Sequence, residues 1–377
     1  MGMKRYGRTW MAALGAGLAA AALLVPAGAA ARAPLDCPMR DAPFSADLPL
    51  IDVLADPAAA AILRGQAGAQ LDKAPPGFLS TTAPSFAAIL SVRQGGPFLG
   101  LEPAAIARID AALRKLPVTA QAKVARCARY DATPLGAVPQ GPHPRVLMFE
   151  KINGFKDKPS VDAAHAALLD LAKAHGWTIL ATDRGGAFTL PTLRHFDVVV
   201  WNNISGDVLT VSQRKAFRQW LQAGGAYLGI HGSAGDPVWF WPWYADTLLG
   251  ARFIGHPMTP QFQAARIAIE SHDPVLTAGL PQSWTWTDEW YSFAKSPRTT
   301  GARILATLDE STYDPKGMHG ESLAMGDHPI AWTRCIGRGR MFYSAIGHRP
   351  ESYADPRYRT MLANAVAWAA APASCAR

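Results

Sequence analysis

The chain of 377 residues is poor in charge and in cysteine: Asp, Glu, Lys and Arg make up 18% of it, and only four cysteines occur. None of the four forms a CxxC pair, so a zinc knuckle is not expected. HExxH spacing is also missing, which removes the short-range signature of a metalloprotease. The formal net charge is +8, yet no Lys/Arg run concentrates it. A nucleic-acid footprint needs such clustering, so no nucleic-acid partner is expected. One apolar Ala/Leu run, Met11 to Val25, stands out. It is shorter than the roughly 20 strongly apolar residues a membrane span needs. No cysteine follows it closely enough to suggest a lipid anchor.

That run is preceded by Lys4, Arg5 and Arg8 and followed by Pro26-Ala27-Gly28-Ala29-Ala30-Ala31. The three-part pattern is that of a secretory signal peptide over residues 1–31, cleaved after Ala29 or Ala31. The mature protein is therefore expected to be periplasmic or secreted, with no stable membrane anchor, and its net charge falls from +8 to +5. In an oxidising compartment an even number of distant cysteines favours disulfides. Three pairings are possible. Cys37 and Cys127 bracket one segment while Cys335 and Cys375 lie in another, so the local pairing is expected.

A proline-rich stretch, Pro134 to Pro144, reads as a linker. Before it, residues 32–133 carry short helical patterns at Leu48 to Leu63, Ser85 to Val92 and Glu102 to Leu116, and gather no catalytic residue types. From Arg145 the rhythm becomes alternating strand and helix. Strands are predicted at Val146–Phe149, Thr178–Leu180, Asp197–Trp201, Ala226–Ile230, Arg266–Ile269, Arg303–Thr307, Ile330–Thr333 and Met341–Ala345. Helices are predicted from a Ser160 cap to His175, from Ser212 to Gln222 and from Pro356 to Ala370. The alternation predicts an α/β fold over residues 145–371, with a doubly wound, mostly parallel sheet and a short tail at 372–377.

After the glycine pair Gly224-Gly225, the apolar strand ends in Gly229-Ile230-His231-Gly232-Ser233. Such a strand–turn–helix elbow lifts one side chain clear at the carboxyl edge of a parallel sheet. Here that residue is His231, and the usual acyl-transfer Ser or Cys is missing. A helix dipole would keep the His231 ring neutral, fit to act as base or metal ligand. Other polar residues recur at predicted strand ends: His256, Asp288-Glu289, Asp327-His328 and Gly347-His348. Drawn together they would make a His/carboxylate cluster, a ligand set for a divalent ion such as Zn or Mn, with His231, His256 and His348 as ligands. Glu289, amid aromatic bulk, reads as a general acid/base whose pKa desolvation raises; alternatively Asp288 caps a turn and Glu289 faces solvent. Trp241, Trp243, Tyr244 and Trp290 suit a sugar face, with Asp288 and His328 as polar contacts, although core packing explains such aromatics as well.

These residues resemble the ThuA-like (trehalose utilisation) family. The resemblance rests on Gly229-Ile230-His231, Trp241-Pro242-Trp243-Tyr244, Gly255-His256-Pro257, Thr287-Asp288-Glu289-Trp290-Tyr291, Leu305 to Asp309, His328-Pro329-Ile330-Ala331-Trp332 and Gly347-His348, in order over residues 144–371. It implies a class I glutamine amidotransferase-like, flavodoxin-like fold in which His231 replaces the nucleophilic Cys. It also aligns His348-Arg349-Pro350-Glu351 with the His-Pro-Glu triad element of the amidotransferases. The chain departs from the family at Gly154-Phe155-Lys156-Asp157, where a His is usual, and at Gly232-Ser233. The activity implied is catabolism of carbohydrates, namely 3-keto-glycosides or related keto-sugars, with His231, Glu289 and His348 as catalytic residues and no glutaminase activity. The alternative is a non-catalytic sugar-binding protein on the same scaffold.

Overall fold

The computed structural model describes residues 35–75, 77–371 and 375. The signal segment at 1–31 and most of the 372–377 tail lie outside the described residues. Leu35–Arg377 cluster as one unit, so the helical segment before the linker packs on the α/β domain rather than standing apart. Among the described residues no helix is long and apolar enough to cross a membrane.

The N-terminal segment comprises α1 (Leu50–Leu54), α2 (Pro57–Ala67), α3 (Val92–Gly95), α4 (Pro103–Leu113) and α5 (Ala120–Cys127) around a small core of its own. The single helical pattern read at Leu48–Leu63 is broken in two. Asp56 accepts the N–H groups of Ala58 and Ala59, and Pro57 occupies the first turn, so α2 starts afresh there. The pattern at Ser85–Val92 is a single turn at Phe86–Ala88 followed by the start of α3, with Ser85 and Ser91 each capping one of them. Cys37–Cys127 ties this segment to itself, and Cys335–Cys375 ties the C-terminal tail to the sheet. Both are the local pairs expected. Asp36 accepts the backbone N–H of Ser212 (2.8 Å) and Ser85 donates its N–H to the Asn153 carbonyl (3.0 Å), docking the segment against the following domain.

The α/β domain runs β1 (Arg145–Phe149), α6 (Lys158–His175), β2 (Thr178–Thr182), α7 (Leu190–Leu193), β3 (Val198–Trp201), α8 (Val211–Gln222) and β4 (Ala226–Ile230). It continues with β5 (Phe253–Gly255), β6 (Phe262–Ile269), β7 (Ser283–Glu289), β8 (Ser292–Phe293), β9 (Arg303–Asp309), β10 (Pro329–Ile336), β11 (Gly339–Ser344) and α9 (Pro356–Ala370). Helix α6 begins two residues before Ser160, whose hydroxyl instead donates to the Asp157 carboxylate and the His348 carbonyl. Its stop is the predicted one: Gly176 adopts φ 72°, a left-handed cap that a Cβ would oppose. Thr210 and Gln213 form a capping box at the start of α8.

One nine-stranded sheet has the order β2-β1-β3-β4-β11-β10-β9-β6-β7. From β2 to β11 the neighbours are parallel. From β11 to β7 they are antiparallel. The parallel half is the flavodoxin-like pattern read from the sequence, with β1, β3 and β4 buried almost throughout. Strands expected at Arg266–Ile269, Arg303–Thr307, Ile330–Thr333 and Met341–Ala345 fall on β6, β9, β10 and β11, but their antiparallel pairing and strand β7 have no counterpart in the sequence reading. In this half, β6 alternates exposed and buried residues, the mark of a sheet with one wet face. Although β7 is the far edge strand, its last residues return to the loop after β11: Asp288 accepts the N–H groups of Gly347, His348 and Arg349. The sheet thereby brings the end of its last strand back to the carboxyl edge of its middle.

Candidate functional site

Strand β4 is apolar and wholly buried, and at its end His231 takes φ 33°, a left-handed conformation uncommon outside glycine. Neighbouring groups over-determine that strained position. Tyr343 donates its hydroxyl to the His231 carbonyl (2.9 Å), and the Tyr291 ring stacks on the imidazole at 4.1 Å. The expected dipole effect has little helix behind it, because the turn after His231 is a 3-10 helix of four residues. The tautomer has another cause. His231 Nδ1 lies 2.7 Å from the Ala345 carbonyl, which can only accept, so Nδ1 carries a proton and Nε2 faces inward.

Nε2 of His231 stands 3.2 Å from His348 Nδ1 and 3.3 Å from Glu289 Oε2. The third side of the triangle, His348 Nδ1 to Glu289 Oε2, is 3.0 Å. The other Glu289 oxygen receives the Gln261 amide (2.5 Å) and lies 3.2 Å from His256 Nδ1. His348 turns its remaining ring nitrogen, Nε2, towards Asp157 at 3.7 Å. His231, His348 and Glu289 offer one donor atom each to a common point, a set that could hold a metal ion.

Burial pushes the Glu289 carboxyl up, but hydrogen bonds from His231 and His348 and the nearby His256 overrule it and hold the group well below the usual carboxylate range. The sequence argument for a raised, proton-donating Glu289 is therefore corrected: it weighed the apolar surroundings and not the imidazoles. Burial presses His348 to lose its proton, yet the hydrogen bond to Glu289 and the charges of Glu289, Asp157 and Asp288 win and raise its pKa. The cluster attracts positive charge.

A buried relay fixes the two loops that carry the imidazoles. The Asn203 side chain, on a residue with φ 51°, accepts the Gly232 N–H (3.3 Å) and donates to the Tyr353 hydroxyl (2.9 Å). Tyr353 in turn donates to the Gly347 carbonyl (2.8 Å). Neither Asn203 nor Gln261 was singled out from the sequence. Each lies in a loop with no motif of its own, and only the tertiary contact reveals it.

Other residues expected at the site lie elsewhere. His328 is buried between Glu310 (2.8 Å), the Tyr313 hydroxyl (3.1 Å) and the Tyr291 carbonyl (2.9 Å), and thus props the residue that stacks on His231. Trp241 and Trp243 pack against Phe217 of α8, with Arg214 and Arg218 over their rings. Tyr244 is fully buried, its hydroxyl donating to the Ser233 carbonyl (2.6 Å). Trp290 is buried with its indole N–H on the Gln263 carbonyl (2.8 Å). Core packing accounts for all four aromatics. Asp288 is committed to five hydrogen bonds with neighbouring chain, leaving no oxygen for a sugar. Glu351, the triad-like carboxylate, pairs with Arg349 at 3.1 Å, and the carboxylate beside His348 is Glu289. Beside His348 stand the rings of Phe155, whose centroid is 6.3 Å from that of His348, and Phe262, at 5.2 Å.

Residues 145–369 match the family described as trehalose utilisation, ThuA. Among solved structures, a ThuA-like protein from Bacteroides uniformis is 24% identical with a TM-score of 0.52, covering 62% of this chain and 94% of its own. A ThuA-like protein from Parabacteroides merdae is 18% identical with a TM-score of 0.47, covering 62% of this chain and 92% of its own. The likeness to the Bacteroides uniformis protein shows the fold alone. No curated protein matches the chain. The family match spans more than half of the sequence, from β1 into α9, and includes every residue of the His/Glu cluster: the chain belongs to the ThuA, trehalose-utilisation family.

Proposed function

We propose that the protein is an exported enzyme of carbohydrate catabolism that processes 3-keto-glycosides or related keto-sugars at the His231–Glu289–His348 cluster, with a divalent ion, Zn or Mn, held by those three side chains. The observation that carries the reading is the triangle of donor atoms with sides of 3.0, 3.2 and 3.3 Å. Atoms bound to one ion at about 2.0–2.1 Å stand about 2.8–3.4 Å apart, from octahedral to tetrahedral geometry. His231 also meets an acceptor on its other nitrogen, the Ala345 carbonyl at 2.7 Å, as metal-bound imidazoles do, and His348 Nε2 faces the Asp157 carboxylate at 3.7 Å. The two disulfides suit an oxidising compartment.

When bound, such an ion would supply Lewis-acid polarisation of a sugar carbonyl. Glu289, buried and held as a carboxylate, contributes the negative charge of the site and is not its proton donor. His256 is the better base. Its Nδ1 faces the Pro257 carbonyl and Glu289, which leaves Nε2 available, and its side chain is partly exposed beside the cluster. A ketone acidifies the neighbouring C–H, and His256 Nε2 would accept that proton. The electron pair then forms a C=C bond to the anomeric carbon as the glycosidic C–O bond breaks. The departing oxygen leaves with the bonding pair and takes a proton back from the imidazole.

The test is turnover of 3-keto-glycosides by the mature protein loaded with Zn²⁺ or Mn²⁺. Aglycone release by wild type, lost in His231→Ala and His348→Ala and lowered about 10²–10⁴-fold in His256→Ala, is the expected result. Binding of the sugar without turnover would replace the enzyme reading with a sugar-binding one.

A further inference from the structure

We infer that Phe155 and Phe262 form a stacking subsite for the second ring of a two-ring substrate, and that the N-terminal segment extends it. The inference rests on the keto-glycoside reading of the cluster and adds what is attached to the reacting sugar.

Phe155 and Phe262 are 41% and 39% exposed, against a core that buries most of the chain's large aromatics. Both contact the His348 imidazole: Phe155 stacks nearly parallel, at 25°, and Phe262 is tilted by 58°. Two apolar rings thus stay open to solvent beside His348, the most exposed of the three side chains in the triangle. Exposed apolar area of this kind beside convergent polar groups marks a binding groove. Polar groups edge it. Asp157 lies 3.7 Å from His348 Nε2, and the Arg349 guanidinium sits over the Phe262 ring. A sugar ring has this same mixture, a C–H face for the phenyl groups and hydroxyls for the carboxylate and guanidinium.

The wall continues away from His348. Phe155 contacts Phe86, with centroids 5.1 Å apart, and Phe86 stacks on Phe78 at 5.3 Å. Phe78 and Phe86 belong to the segment before the linker, outside the family match at 145–369. That segment is pressed onto the loop: a Cβ on Gly154 would come within 2.4 Å of the Ile89 side chain. The extension is this chain's own addition to the family site. It points to substrates longer than a single sugar.

Binding of methyl 3-keto-glucoside, with one ring, and of the 3-keto form of trehalose, with two, to the full mature protein tests the inference by calorimetry. Wild type should bind the two-ring compound at least about tenfold more tightly. Phe155→Ala and Phe262→Ala should each remove about that tenfold while leaving the one-ring affinity and the Tm nearly unchanged. If Phe155→Ala unfolds, Phe155→Leu keeps the apolar volume and should still lose the preference. Equal affinity for the two compounds in wild type, or parallel losses for both in the variants, overturns the subsite and leaves the keto-glycoside reading standing. Failure of wild type to bind either compound overturns both.

Discussion

Asp288 holds His348 by its main chain. Asp288 Oδ1 accepts the His348 N–H at 3.1 Å, together with those of Arg349 and Glu289, while Oδ2 accepts the Gly347 N–H and the Ser352 hydroxyl. Two adjacent carboxylates of β7 therefore have separate tasks: Asp288 pins the loop, and Glu289 faces the imidazoles. Asp288→Asn keeps the shape but turns an NH₂ donor against groups that are themselves donors. The expected cost is about 1–3 kcal/mol in urea denaturation, together with weakened metal binding. Unchanged values for both would show that the loop is held by other contacts.

The Glu310–His328 pair makes the support of the site pH-dependent. The His328 hydrogen bond, aided by the Met325 and Gly326 N–H groups and opposed by burial, pulls the Glu310 carboxyl down to about 2. A group depressed by folding contributes stability that is complete above its unfolded value, 4.5, and is lost as the pH falls through the folded value. Glu310→Gln should therefore be less stable than wild type at pH 7, with the gap closing between pH 4.5 and about 2. A gap constant with pH would contradict this origin.

The elbow predicts what the protein does not do. An imidazole at position 231 cannot form the thioester by which a thiolate hydrolyses glutamine. Pure protein should release no ammonia from glutamine. Release that disappears in His231→Ala would overturn this account of the elbow.

Local signals carried much of the fold. The elbow after β4, the Gly176 stop and the span of α9 are each written in a few consecutive residues, and each is where the sequence put it. The disulfide pairs also followed from position along the chain. What escaped depends on contacts between distant segments. Composition marks Trp241, Trp243, Tyr244 and Trp290 as aromatic but not which face of the sheet they meet, and that face is the core. The return of β7 to the loop after β11 rests on the curl of an antiparallel half with no short motif. The direction of the Glu289 shift needed His231, His256 and His348, which lie 33 to 59 residues away in sequence but at its oxygens in space. Phe155, in a loop, and Phe262, at the first position of β6, carry no signal as single phenylalanines until His348 is seen beside both.

The most direct test of the central claim is a titration of metal-free mature protein with Zn²⁺ and with Mn²⁺ near neutral pH, by calorimetry in buffers of different ionisation enthalpy. The cluster predicts one ion per chain for wild type, with proton release, because His348 holds its proton more tightly than an ordinary imidazole and must give it up to coordinate. Affinity should accordingly rise with pH, and His231→Ala, His348→Ala and Glu289→Gln should each weaken it at least about 100-fold while the fold persists. No binding of either ion by wild type, or binding that all three variants retain in full, would contradict the claim.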